Sequence, residues 1–184
     1  WVLRQRWRRS ASPLRTIDLS LWIEGGTAQK AAIAREWDEA MRSVGAALVI
    51  NHGLPLEATT DLYNAASEFF SQRDEDKMRW CLHQGYGAGG FVPRGVEAVG
   101  RSHAGGEKAN PVARYTIEVR RVLSLLLALS ASALGLPEGH FDQLYDARAS
   151  CNLKLAWYPA LGEDHGEQLR YAAHTDYTGF TLLR

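Results

Sequence analysis

The sequence predicts an α+β protein in which helices come first and extended segments follow. Amphipathic helical patterns recur up to Phe70, and a long apolar helical pattern spans residues 112–134. After it, polar and apolar residues alternate over residues 152–158, which is the period of a half-buried strand. Because the strands gather only toward the end of the chain, the sheet is predicted to be incomplete within it.

The elements before the long helix are predicted from local signals. Residues 16–19 alternate polar and apolar side chains and are predicted to form a short strand. A helix is predicted over residues 27–44, with Thr27 as a candidate N-cap and Gly45 as the stop signal. The apolar run at residues 46–50 precedes an Asn-His-Gly turn and is typical of a buried strand, and a second helix follows that turn.

A glycine-rich stretch separates these elements from the long helix. Residues 85–106 contain eight glycines and are predicted to form loop and irregular strand. The long helix is then predicted to end at Gly135, with Pro137 just beyond it, because glycine and proline are the usual stop signals. The first 15 residues form an arginine-rich leader that is predicted to be disordered.

Composition and charge disfavour several classes of protein. Lys plus Arg (21) balance Asp plus Glu (21), so no overall field attracts nucleic acid or an anionic membrane. The most apolar stretch, residues 122–136, is shorter than the ~20 residues that a membrane span requires. Cys81 and Cys151 match no zinc or disulfide spacing, which favours a reducing cytoplasm. The prediction is a cytoplasmic monomer without a membrane or nucleic-acid partner.

A candidate metal-binding motif lies near the end of the chain. His174 and Asp176 are separated by one residue, and side chains at positions i and i+2 of a strand point to the same face. Two histidines and one carboxylate bind Fe(II) on one side and leave positions open for oxygen and a chelating co-substrate. On a strand, His174 and Asp176 could therefore both bind one metal ion, as two of the three ligands of such a site.

The spacing alone carries little weight, because the chain contains a second pair with the same spacing. His140 and Asp142 also flank one residue, but they follow a Leu-Pro-Glu-Gly sequence that predicts the start of a short helix. Residues two apart on a helix do not face each other. We therefore do not assign a metal to this second pair.

The surroundings of His174 and Asp176 resemble a known family. Residues 167–183, Glu-Gln-Leu-Arg-Tyr-Ala-Ala-His-Thr-Asp-Tyr-Thr-Gly-Phe-Thr-Leu-Leu, are similar to the iron-binding segment of isopenicillin N synthase-like oxygenases. Upstream, residues 152–159 resemble the family's strand ending in Tyr-Pro, and the Leu-Gly-Leu-Pro of residues 134–137 is also similar. Nearer the start, residues 17–19, residues 45–53 and Phe69-Phe70 resemble the region that precedes the oxygenase barrel.

This resemblance implies a fold and an activity. The fold is a double-stranded β-helix, or jelly roll, preceded by a helical amino-terminal region, with the barrel incomplete in this chain. Residues 1–15 would form the leader, residues 16–111 the amino-terminal dioxygenase region, and residues 112–184 the long helix and first part of the oxygenase domain. The implied enzyme uses Fe(II), 2-oxoglutarate and O2 to hydroxylate, desaturate or cyclise a small molecule.

The resemblance also implies a role for Tyr158. It matches a family tyrosine that projects near the metal and contacts the co-substrate or substrate, whereas packing within a sheet is the alternative interpretation. The family's frequent asparagine two residues earlier is Ala156 here. Between about Arg101 and Arg114, the chain also lacks a longer segment that family members usually carry.

Three functional hypotheses follow. The family's distal histidine and its Arg-x-Ser motif for 2-oxoglutarate would lie beyond Arg184, so the first hypothesis is an oxygenase given only in part. The second is a truncated pseudoenzyme, and the third is a non-catalytic binding module in which His174 and Asp176 form hydrogen bonds. Members that dispense with 2-oxoglutarate, such as isopenicillin N synthase, also stay open, and no substrate is predicted.

Overall fold

The computed structural model describes residues 14–81, 90–91, 110–146, 149, 151–158 and 179–184. The elements within these ranges are β1 (Arg15–Asp18), α1 (Ser20–Ile23), α2 (Thr27–Ser43), β2 (Ala47–Ile50), α3 (Leu56–Ser71), α4 (Asp74–Met78) and α5 (Pro111–Ala133). The combination of helices with strands agrees with the predicted α+β class. Residues 1–13 of the predicted leader and most of the glycine-rich stretch lie outside the described residues.

The chain divides into two compact units. Unit 1 comprises Trp1–Gly53 and Ser124–Leu144, and unit 2 comprises Leu54–Leu123 and Tyr145–Arg184. Each unit is therefore assembled from two separate stretches of sequence. Helix α5 contributes its first half to unit 2 and its second half to unit 1.

Unit 1 contains a β-α-β arrangement. Strands β1 and β2 pair in parallel, with Ile17 opposite Val49, and helices α1 and α2 connect them. The N-cap of α2 is Gly26 and not the predicted Thr27, because the side chain of Gln29 accepts a hydrogen bond from the Gly26 amide at 3.0 Å. After α2, Gly45 has a φ of 77°, the left-handed conformation expected of a glycine that ends a helix.

The core of unit 1 lies between the β-α-β arrangement and the second half of α5. Its most deeply buried large side chains are Ile17, Leu19, Ile33, Leu126 and Leu129. Trp37 is also buried, and its Nε1 donates a hydrogen bond to Ser130 Oγ at 2.9 Å. The indole is thereby satisfied inside an apolar core, which is the usual condition for burying a tryptophan.

One face of strand β2 is not covered by the described residues. Leu48 is 53% exposed and Ile50 is 43% exposed, and both lie on the same face of the strand. Parallel sheets are normally covered on both faces. The strand was predicted correctly, but its predicted burial is wrong for this face. The small open sheet agrees with an incomplete barrel within the described residues.

The ends of β1 and β2 are held together by Asp18. Its Oδ1 accepts hydrogen bonds from the Ser20 amide (2.9 Å), from Ser20 Oγ (2.7 Å) and from Asn51 Nδ2 (2.9 Å). Asn51 has a φ of 53°, the left-handed conformation that asparagine tolerates better than most residues. The Ser20 hydroxyl, and then the Asn51 amide, lower the pKa of the Asp18 carboxyl below its usual value of 3.8.

We expect Asp18→Asn to flatten the acid side of the stability profile. Because the folded-state pKa is lowered, the ionised carboxylate stabilises the fold above its unfolded pKa, and this contribution is lost as pH falls through the folded pKa. Thermal midpoints measured from about pH 2 to pH 7 should therefore decrease more steeply below about pH 4 in the wild type than in the variant. Asp142→Asn, at an exposed position, is the control, and parallel curves for wild type and Asp18→Asn would contradict the expectation.

Unit 2 contains α3, α4, the first half of α5 and the described residues after Leu144. The strand predicted over residues 152–158 is not assigned there. Cys151 and Leu153 are half-buried, as alternation requires, but Leu155, Trp157 and Tyr158 are all exposed. The strand prediction was wrong for the described structure, because alternation in sequence forms a strand only where a partner supplies ladder hydrogen bonds.

Candidate functional site

The predicted site residues differ in what the structure says of them. His174 and Asp176 lie outside the described residues, and their assignment as iron ligands stays a prediction. Tyr158 is described and is 48% exposed. Within the described ranges, no group of three or more His, Cys, Asp or Glu side chains is arranged to hold a metal ion.

Among the helices of the described residues, none has the length and apolar character needed to cross a membrane.

Aromatic side chains hold the residues next to Tyr158. The rings of Phe70 and Trp157 are stacked, with centroids 6.0 Å apart and planes 18° apart. Phe69 contacts Phe70 edge-on at 5.4 Å and Phe91 at 5.7 Å. The end of α3 therefore supports the backbone that carries Tyr158, because such ring pairs stabilise beyond the area they bury. The sequence placed Phe69 and Phe70 on the apolar face of a predicted helix and in a family-like segment, but it did not predict their contacts with Phe91 and Trp157.

An arginine of α5 binds the backbone ahead of the Tyr158 segment. Arg120 Nη2 donates a hydrogen bond to the carbonyl oxygen of Asp146 at 3.0 Å, and Nη1 donates to that of Ala149 at 3.1 Å. Sequence reasoning missed Arg120. No sequence signal marks this interaction, because the acceptors are carbonyl oxygens that every residue carries.

A close approach links Tyr145 to the last described stretch. A Cβ atom added to Gly179 would lie 2.7 Å from the Tyr145 hydroxyl oxygen, which is closer than real Cβ contacts allow. The absence of a side chain at Gly179 therefore lets Tyr145 lie against the backbone there. In sequence, Gly179 is the third residue after Asp176.

The second His-x-Asp pair lies in a series of turns. The His140 amide donates to the Pro137 carbonyl at 2.9 Å, and the Asp142 amide donates to the Gly139 carbonyl at 3.1 Å. Both side chains are exposed, and the His140 ring packs edge-on against Phe141 at 4.9 Å. The short helix predicted to begin here is not assigned, because residues 138–144 form successive turns and not a regular helix.

A groove in unit 2 carries carboxylates but does not offer a metal site. It has a volume of about 500 Å³ and is lined by Pro55, Leu56, Glu57, Thr60 and Asp61. Arg114 forms ion pairs with Asp61 at 3.1 Å and with Glu57 at 3.4 Å, so both carboxylates already have a cationic partner.

Burial raises the pKa of the Tyr115 hydroxyl, and the positive charge of Arg184 opposes that effect.

Solved structures define the class of fold. The C-terminally truncated Neurospora crassa protein NcT7HdeltaC, in apo form, matches with a TM-score of 0.61 and 15% identity, over 72% of this chain and 57% of that chain. Its full-length form in complex with alpha-KG matches with a TM-score of 0.55 and 15% identity, over 72% of this chain and 51% of that one. At such low identity, the likeness establishes the shared fold alone.

Residues 14–121 match the family described as "non-haem dioxygenase in morphine synthesis N-terminal". The match covers more than half of the chain, and the chain belongs to this family. The predicted membership of the isopenicillin N synthase-like non-haem dioxygenases is thereby confirmed.

Two curated relatives match across most of the chain. Validamycin A dioxygenase from Streptomyces hygroscopicus subsp. limoneus is 24% identical over 206 residues, which is 91% of this chain and 56% of that protein. Gibberellin 20 oxidase 1-D from Triticum aestivum is 24% identical over 196 residues, which is 91% of this chain and 53% of that protein. The chain thus spans about half the length of these relatives. Both alignments are longer than the 184-residue chain, so each relative has residues that face a gap in this chain.

Proposed function

We propose that the protein acts in the Fe(II)- and 2-oxoglutarate-dependent oxidation of a small molecule, with His174 and Asp176 as two of the three protein ligands of the iron. The observation that carries this proposal is a His-x-Asp motif in a chain that belongs to a family of non-haem dioxygenases. The relatives named dioxygenase and oxidase support the reaction class, and the fold neighbour in complex with alpha-KG supports the co-substrate.

The proposal includes the finer fold and the division of the chain. The oxygenase domain would be a double-stranded β-helix that begins in residues 112–184, preceded by the amino-terminal region at residues 16–111 and the leader at residues 1–15. The exposed face of β2 and the likeness to the Neurospora crassa structure support an incomplete sheet of this kind. We also propose that the protein acts as a monomer on a small molecule.

The residues have distinct parts in the proposed site. Bound iron would supply the activation of oxygen. His174 would bind the metal through a neutral imidazole nitrogen and Asp176 through an ionised carboxylate, so iron binding would weaken as pH falls. We assign no third protein ligand within the chain. Tyr158, whose side chain is half-exposed, would donate a hydrogen bond to the co-substrate.

An anaerobic titration tests the proposal. Fe(II) and 2-oxoglutarate added together to the complete protein should produce a visible charge-transfer absorption that neither produces alone, because 2-oxoglutarate chelates the metal through its keto and carboxylate oxygens. Succinate, which lacks the keto oxygen, is the matched control and should give no such absorption. If calorimetry shows no Fe(II) binding and no absorption develops, the proposal is wrong.

The same titration separates the alternative hypotheses. A truncated pseudoenzyme with two ligands would bind Fe(II) weakly and give no stable absorption with 2-oxoglutarate. A binding module in which His174 and Asp176 only form hydrogen bonds would bind no Fe(II). A member that dispenses with 2-oxoglutarate would bind Fe(II) tightly without the additional absorption.

A further inference from the structure

We propose that Arg120 is a positioning residue for the iron and co-substrate site, a role that rests on the function proposed above. It would act through Tyr145, Asp146 and Ala149, a set of residues called here the bracket. The bracket leads directly into the segment that carries Tyr158 and contacts the backbone that follows Asp176. One side chain of α5 would thereby support Tyr158 and the described backbone that begins three residues after Asp176.

Arg120 binds the bracket through two hydrogen bonds. Two nitrogens of a single guanidinium donate to two carbonyl oxygens, those of Asp146 and Ala149, at 3.0 and 3.1 Å. The planar fork of arginine holds two acceptors in a fixed relation, which the single ammonium group of lysine cannot reproduce. Ala149 also donates its amide to the Asp146 carbonyl at 3.0 Å, so the two acceptors are linked to each other. The bracket is therefore fixed relative to the first half of α5.

The segment at residues 151–158 follows the bracket in sequence. It begins two residues after Ala149, which Arg120 holds, and it ends at Tyr158, beside the stacked Trp157. The segment has no regular secondary structure and is mostly exposed. Because no strand ladder fixes its backbone among the described residues, the Arg120 contact just before its start and the Phe70–Trp157 stack at its end contribute to its position.

Tyr145 connects the bracket to Gly179, the first described residue after Asp176. The Tyr145 hydroxyl lies so close to Gly179 that a Cβ there would be 2.7 Å from it. Tyr145 directly precedes Asp146, whose carbonyl Arg120 binds. Loss of the Arg120 contact would therefore release Tyr145 from its place against Gly179, three residues from the proposed ligand.

The experiment compares Arg120→Ala and Arg120→Lys with Arg121→Ala. Arg121 is the matched control, because it is the adjacent arginine of the same helix and pairs with Glu118 at 3.3 Å, within α5. In metal-free protein, hydrogen exchange of peptides covering residues 151–158 and 179–184 should be about 10-fold faster in Arg120→Ala. Arg120→Lys should give an intermediate rate, and Arg121→Ala should match the wild type.

The second readout is co-substrate binding to the complete protein. Groups that orient metal ligands typically contribute about 10- to 100-fold in metal affinity or activity. Arg120→Ala should therefore raise the Kd for 2-oxoglutarate in the Fe(II) complex about 10-fold, and should raise KM for 2-oxoglutarate more than it lowers kcat. Millimolar guanidinium should partly restore the Kd of Arg120→Ala and leave that of Arg121→Ala unchanged.

Each outcome decides a separate point. Unchanged exchange in both peptides of Arg120→Ala would overturn the anchoring of the bracket. Faster exchange with an unchanged Kd would overturn the positioning role and leave the proposed function intact. A wild type without the charge-transfer absorption would overturn the proposed function, and the positioning role with it. If Arg120→Ala does not fold, Arg120→Lys and Gly179→Ala, which displaces the Tyr145 hydroxyl, decide the same points with the same peptides.

Discussion

Replacement of both His174 and Asp176 with alanine is expected to abolish the charge-transfer absorption of the Fe(II)–2-oxoglutarate complex. Loss of two of three protein ligands should weaken Fe(II) binding by on the order of 100-fold or more, since loss of a group that only orients a ligand already costs about 10- to 100-fold. Anaerobic titration followed by visible absorption, with calorimetry for Fe(II) alone, measures both effects. Far-ultraviolet circular dichroism shows whether the variant retains its helices.

The chain supplies its own control for this experiment. His140→Ala combined with Asp142→Ala removes the same two side-chain types at the same spacing, from exposed turns in place of the proposed site. We expect this variant to keep the absorption and the Fe(II) affinity of the wild type. The assignment of the ligands would be refuted if the absorption persisted in the variant that lacks His174 and Asp176. It would also be refuted if the absorption disappeared in the variant that lacks His140 and Asp142.

The second large effect is expected from Leu129→Ala, in the core of unit 1. Leu129 is fully buried, and replacing a buried leucine with alanine typically lowers the free energy of unfolding by about 2–5 kcal/mol, because transfer energy is lost and a cavity remains. Urea denaturation followed by tryptophan fluorescence measures the change. The buried side chains of Trp22 and Trp37 report on this unit.

Leu134→Ala is the matched control for Leu129. Leu134 lies just beyond α5 and is 59% exposed, so its removal should change the free energy of unfolding by no more than about 0.5 kcal/mol. Equal effects of the two substitutions would show that the second half of α5 does not form the core of unit 1.

The helices α2, α3 and α5 could be predicted from the sequence because their signals are local. Apolar residues recur at helical spacing, and the glycines chosen as stop signals, Gly45 and Gly135, both have the left-handed φ that such positions need, at 77° and 71°. The alternating segment that forms β1 and the apolar run that forms β2 were also predicted. Their parallel pairing was not, because hydrophobic alternation specifies the face of a strand and not its neighbour.

The features that escaped prediction depend on tertiary contacts. The segment at residues 152–158 alternates like a strand but lacks a ladder partner among the described residues, and the four-residue helix α1 is too short to show a period. The Arg120 hydrogen bonds join residues 26 and 29 positions apart through backbone acceptors. For the site, the motif identified His174 and Asp176, and these assignments stay predictions that the experiments above will decide.

The division of unit 1 into two stretches of sequence governs when it can fold. As the ribosome releases the chain, Ile17 and Ile33 emerge early, but Leu126 and Leu129, which complete their core, follow only after residues 54–123. Unit 1 must therefore wait for α5 and then close a long loop. The entropic cost of such closure rises only by about 0.6 kcal/mol for each doubling of loop length. Insertions within the glycine-rich residues 85–106, which the sequence predicts to be a loop, should consequently leave the formation of this core almost unaffected.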